Sequence, residues 1–177
     1  VMAAAAVVFS FGALQEKLGK PVTFIHAPVP GYGKYLRKTL HLTFKKLLKV
    51  EKPMWRNNWS ISPSGMLDEL PDLYGSLHAM KRRQFKEPTR EEIKTKFLVV
   101  EYQTIRRLPK SGYLLFTVKT MVDPLPALEK VPKAASCLAA SIRGMSSAMR
   151  KYKGIEDDPT TDAILAYLDS ISGQATR

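Results

Sequence analysis

The chain has 177 residues, 45% of them hydrophobic and 9% aromatic, which describes one ordinary globular domain and excludes a disordered or low-complexity chain. Lys and Arg outnumber Asp and Glu by 28 to 16, and the resulting net charge of +12 permits an acidic partner, an anionic membrane or nucleic acid without selecting one. The single cysteine, Cys137, excludes an internal disulfide and a multi-cysteine zinc or iron–sulfur site, and it favours a cytoplasmic location.

From the N-terminus, Ala3 to Gly12 reads as a buried strand or a helix end, and Leu14 to Leu18 as one helical turn stopped by Gly19 and Pro21. The longest apolar stretch, Val1 to Phe9 with Phe11 to Leu14, is shorter than the roughly 20 residues a membrane helix needs, so no integral membrane segment is expected. It also lacks the basic lead-in of a signal peptide. The chain begins at Val1 rather than Met, which suggests a piece of a longer one.

His26 is followed by Pro28, Pro30, Gly31 and Gly33, a run that forbids regular structure and stiffens the turn. A lone His in such a place is either a satisfied hydrogen-bonding residue or a ligand, and one His is enough to hold a haem iron axially. From Lys34 to Val50 the pattern turns helical, with Leu36, Leu40, Phe44, Leu47 and Leu48 on one stripe. Between Lys34 and Lys52 seven Lys and Arg face one Glu, which suits a solvated surface helix, a membrane surface or an acidic partner.

Both tryptophans, Trp55 and Trp59, stand beside Arg56, a grouping that can hold a planar acidic ligand or make a core with a polar rim. Ser62 to Gly65 breaks the chain, and Met66 to Lys86 reads as loop ending in Lys81-Arg82-Arg83. Basic residues without interleaved aromatics give only a weak nucleic-acid signal; a basic module binding nucleic acid or acidic lipid through the Lys34 to Lys49 helix is a third reading, and the leading one expects no nucleic-acid partner. Thr89 and Glu92 form a capping box that opens a short helix into the next strand.

Phe97 to Leu108 and Tyr113 to Val122 are two β-rich runs around a Pro109-Lys110-Ser111-Gly112 turn, which predicts a hairpin. If Leu108 opposes Tyr113, then Glu101, Gln103, Ile105 and Arg107 share a face with Leu114, Phe116, Val118 and Thr120. An acid, an amide and a guanidinium among apolar neighbours mark either a solvated edge or a charged group facing a pocket. Pro124 and Pro126 stop the second strand. A helix follows over Lys133 to Tyr152, weakened at Gly144, with Ala134, Leu138, Ile142, Met145, Met149 and Tyr152 facing the sheet. A last helix spans Thr161 to Ser172, led in by Glu156-Asp157-Asp158. Strands flanked by helices without βαβ alternation predict an α+β fold with an antiparallel sheet. No GxGxxG, Walker, GxSxG, HExxH or CxxC motif is present, which removes the standard nucleotide, hydrolase and zinc readings.

Three stretches taken together resemble a known family: Gln15 to Pro21 running into Ile25-His26-Ala27-Pro28-Val29-Pro30-Gly31-Tyr32; Arg56-Asn57-Asn58-Trp59; and Val100 to Gly112 with Phe116 to Thr120 and Asp123-Pro124-Leu125. In this order they are similar to the α subunit of haem-dependent oxidative N-demethylase and its relatives, over about Val8 to Leu128. The resemblance implies a PAS-like fold, with residues 1–177 as the C-terminal portion of a longer family domain and 132–177 as its C-terminal helical segment. It implies haem b, an electron-donating partner subunit or reductase, and oxygen-dependent demethylation of a small secondary alkylamine. Carried onto this chain, His26 is the axial ligand, placed by Pro28 and the turn and flanked by Tyr32. Arg56 and Trp59 lie near the haem, and Glu101 holds or deprotonates the alkylammonium. Arg107 or Arg106 steadies that acid or a propionate. Tyr102 stands where the family has Arg. The alternative implied is a haem or ligand sensor, or a scaffold subunit, that binds without turnover.

Overall fold

In a computed structural model of the chain, residues 17–65, 88–153, 155 and 159–174 are described. The readings of Ala3 to Gly12, of most of the Leu14 to Leu18 turn, of the 66–86 loop and of the acidic 156–158 lead-in lie outside them.

The hairpin forms in the expected register. Strand β2 (Phe97–Arg107) and strand β3 (Leu114–Pro124) run antiparallel with Arg107 opposite Leu114 and Glu101 opposite Thr120. The turn closes through Leu108 N–H donating to the Tyr113 carbonyl at 2.8 Å, and Gly112 takes φ 69°, the left-handed region that favours glycine. Strand β1 (Met54–Ser62) completes a three-stranded antiparallel sheet of order β1-β2-β3, with Arg56 opposite Gln103 and Asn58 opposite Glu101. Only the second half of β1, from Asn58 onward, is partly buried. Its sequence therefore shows no clean alternation, and no strand was expected there.

Side chains alternate between two unlike faces. Trp59, Ile61 and Leu98 share one face and pack against the apolar core. That core is built mainly by helix α4 (Pro132–Arg143) and helix α6 (Pro159–Gln174), which bury Ala135, Leu138, Ala139, Ile142, Ile164, Leu168 and Ile171. Helix α3 (Arg90–Lys94) opens with the expected capping box: Glu92 N–H donates to Thr89 Oγ1, and Thr89 N–H donates back to Glu92 Oε2 at 2.7 Å. The box places Ile93, fully buried, against the same core.

Three expectations about helices are corrected. The helix over Lys133 to Tyr152 is two: α4 ends at Arg143, and α5 (Ser147–Tyr152) begins after Ser146, whose Oγ accepts from Met149 N–H at 3.3 Å. A hydroxyl two residues past Gly144 offers a new N-cap, which a break uses better than a continuous helix does. Tyr152 is accordingly exposed rather than turned to the sheet. The basic helix runs from Tyr32 to Leu47 as a π-helical turn (Tyr32–Leu36), helix α2 (Arg37–Leu42) and a second π-helical turn (Thr43–Leu47), so helical structure begins inside the Pro/Gly run at Tyr32. Before that run, Val22–His26 forms a short helix, α1, entered through Pro21. Among the described residues, no helix is long and apolar enough to cross a membrane.

Candidate functional site

The sheet face opposite the core is polar at its centre. Glu101 is only 4% exposed and Gln103 8% exposed, two positions apart on the middle strand, so both point to the same side. Gln103 Nε2 donates to Glu101 Oε2 at 2.6 Å, and Asn58 Nδ2, from the facing strand, donates to the same oxygen at 3.3 Å. Each amide is engaged in turn by a cation. Arg56 Nε donates to Gln103 Oε1 at 2.8 Å, and Lys153 Nζ donates to Asn58 Oδ1 at 2.9 Å. The result is a chain from Arg56 to Lys153 with the carboxylate at its centre. Such a donor set complements an ionised acid inside the protein.

Lys153 arrives from just beyond α5. Its ammonium also donates to the Trp59 carbonyl at 2.6 Å and lies 4.9 Å from the centre of the Trp59 ring. Burial holds it below the usual lysine range, and Arg56 adds to that, while the Glu101 charge opposes it. The break after α4 is what redirects the chain so that Lys153 reaches the sheet. Sequence reasoning missed this residue. The available signal was Gly144 followed by Ser146, which marks a break and hence a change of direction.

His26 ends α1. Its Nδ1 lies 2.9 Å from the Val22 carbonyl, and because a carbonyl only accepts, Nδ1 carries the proton and Nε2 is the lone-pair nitrogen. The ring is stacked on Tyr32, with centroids 5.6 Å apart and planes 20° from parallel, and Tyr32 is buried. The turn between them is closed by Val29 N–H on the His26 carbonyl and Tyr32 N–H on the Val29 carbonyl, with Pro28 inside it. Gly31 takes φ 72°, and a Cβ there would stand 2.8 Å from the Tyr35 ring, so the turn requires glycine. An imidazole with one nitrogen fixed by a backbone carbonyl is the usual preparation of a metal-ligating His. Among the described residues no group of three or more His, Cys, Asp or Glu could hold a metal ion.

The remaining candidates divide. Arg107 shares the Glu101 face, but its guanidinium donates to the carbonyls of Leu48, Gly112 and Phe44, tying the end of the basic helical segment to the hairpin. Arg106 is exposed and projects from the opposite face. Trp59 likewise lies on the core face, back to back with the polar network, and so does not share a surface with Arg56. His26 and Glu101 share no hydrogen bond or ring contact among the described residues.

A separate shallow cavity of about 240 Å³ is lined by Arg90, Ala163, Ala166, Tyr167 and Ser170. Its polar groups are already paired: Arg90 donates to Ser170 and stacks on Tyr167, and the Tyr167 hydroxyl donates to Glu129 at 2.6 Å. Burial, together with that pairing to Glu129, pushes the Tyr167 hydroxyl above its usual range. This cavity belongs to the packing of α6 on α3.

Against known families, the chain matches, over residues 1–161, the model described as haem-dependent oxidative N-demethylase, alpha subunit-like.

Proposed function

The chain belongs to the haem-dependent oxidative N-demethylase, alpha subunit-like family, and from that premise we propose that it is a haem-binding subunit demethylating a small secondary alkylamine with oxygen. The observation that carries the reading is Glu101: a carboxylate 4% exposed, on the central strand of the described sheet, held by amide donors. A secondary alkylamine is a cation at neutral pH and must lose a proton before its nitrogen or N-methyl group is oxidised. Glu101 receives the N–H of that cation, fixes the methyl group in place and takes the proton.

His26 fits a haem iron, because its Nδ1 is committed to Val22 and its Nε2 is the nitrogen left to bind metal. Haem b, when bound, supplies the redox centre at which oxygen is reduced. Pro28 and Tyr32 hold the His26 ring in place. Arg56 pairs with a propionate, Trp59 supports β1 from the core side, and Arg106, on that same side, is assigned no contact with Glu101. Arg107 serves the site by anchoring the helical segment that follows His26. For dimethylamine the balance is (CH3)2NH + O2 + 2 electrons + 2 H+ giving CH3NH2, formaldehyde and water. The two electrons come from a partner subunit or reductase, in keeping with an α-subunit description. We read the sheet and its helices as part of a PAS-like domain.

The test is Glu101→Gln in haem-loaded protein supplied with an electron donor and dimethylamine. Formaldehyde production falls by at least about 100-fold while the haem absorption stays, because a positioned proton acceptor contributes on that order. Unchanged turnover contradicts the assignment. Wild-type protein that binds dimethylammonium without forming formaldehyde is a sensor or scaffold instead.

A further inference from the structure

We propose that Lys153 is a positioning residue for Glu101, acting through Asn58, and that Arg56 plays the same part from the other side through Gln103. A primary amide can present either its oxygen or its NH2 group to a neighbour, and its orientation is set by what that neighbour can do. An ammonium and a guanidinium only donate. Lys153 at 2.9 Å therefore fixes the Asn58 oxygen towards itself and sends the Asn58 NH2 to Glu101, and Arg56 at 2.8 Å does the same with Gln103. Two cations thus give two amides one polarity, and both deliver their hydrogens to Oε2 of the same carboxylate.

Lys153 is itself held firmly, by the Trp59 carbonyl and by the Trp59 ring, so it spans both faces of β1 and ties the polar network to the packed core. The carboxylate is orientated before any ligand arrives, which lowers the ordering cost of binding. With Oε2 taken by the two amides, an incoming ammonium N–H is directed to Oε1. The ligand class rests on the reading of Glu101 given under Proposed function; the polarity of the amides does not.

The first measurement is the side-chain NH2 signals of Asn58 and Gln103 in 15N–1H spectra of the 177-residue chain, assigned by their loss in Asn58→Asp and Gln103→Glu. Lys153→Met keeps an apolar stem against Trp59 but removes the donor. It moves and broadens the Asn58 pair while leaving the Gln103 pair, Lys153→Arg restores the Asn58 pair, and Arg56→Met produces the converse pattern. An Asn58 pair unmoved in Lys153→Met, or not restored in Lys153→Arg, makes Lys153 a packing residue and overturns the proposal.

The second measurement is calorimetric affinity for dimethylammonium chloride in haem-loaded protein, which falls about fivefold in Lys153→Met, the loss of roughly one net hydrogen bond. Amide signals that respond as stated in a wild-type protein with no affinity for dimethylammonium would leave the positioning role standing and remove the ligand assigned to Glu101.

Discussion

Glu101 and Gln103 sit on the central strand as an acid and an amide two residues apart, and that spacing already put them on one face with Arg107. What the spacing could not reveal is which partners would cross to them. Arg56 and Asn58 arrive from a strand some 43 residues earlier, and Lys153 from a turn after a broken helix, so the network is assembled by topology rather than by any local motif. Arg107 shows the converse: it has the right face, yet its donors go to backbone carbonyls of the helical segment and the hairpin turn. The half-buried ammonium of Lys153 also carries a pH signature. In the folded chain Lys153 titrates below the ordinary lysine value of 10.5, chiefly because it is buried. Between the folded and unfolded values the unfolded chain binds more protons, so stability gains from this group as pH rises through that window. Urea unfolding of wild type and Lys153→Met at about pH 7 and about pH 10 checks this: wild type gains on the variant at the higher pH. A wild type that does not gain on the variant between the two pH values would contradict the partial burial of the ammonium.

The hairpin and the capping box were fully legible as elements because each is set by short-range chemistry: Gly112 at positive φ, and Thr89 with Glu92 three residues on. Strand β1 was not, since half of it is exposed and its two faces serve different purposes, aromatic packing at Trp59 and polar relay at Arg56 and Asn58. The apolar stripe continues through Gly144, which predicts one long helix; the N-cap offered by Ser146 decides against it. Thr89→Ala removes the acceptor for Glu92 N–H and loosens a five-residue helix whose Ile93 is fully buried. It costs about 1 kcal/mol, read as a lower urea midpoint with an unchanged slope. Thr89→Ser retains most of that stability. No loss in Thr89→Ala would mean that core packing alone holds α3.

Across the whole molecule the sheet divides two tasks. One face joins α4 and α6 in an apolar core, and the other carries a buried carboxylate braced by two cations. Trp59 and Lys153 connect the two, so the rigidity of the core is passed to the polar face. The helical segment that follows the His26 turn, Tyr32 to Leu47, is fastened at its far end to the hairpin by Arg107, which donates to the Phe44 and Leu48 carbonyls. Residues Gly33 to Lys46 are largely exposed and basic, a surface legible in the sequence from its lysines.

The most direct measurement is the visible absorption spectrum of the haem-reconstituted protein, oxidised and then reduced with dithionite, beside His26→Ala. If His26 ligates a haem iron, a Soret band appears, shifts on reduction, and is lost or altered in the variant. A wild-type spectrum without a Soret band, or one identical in His26→Ala, would contradict that ligation.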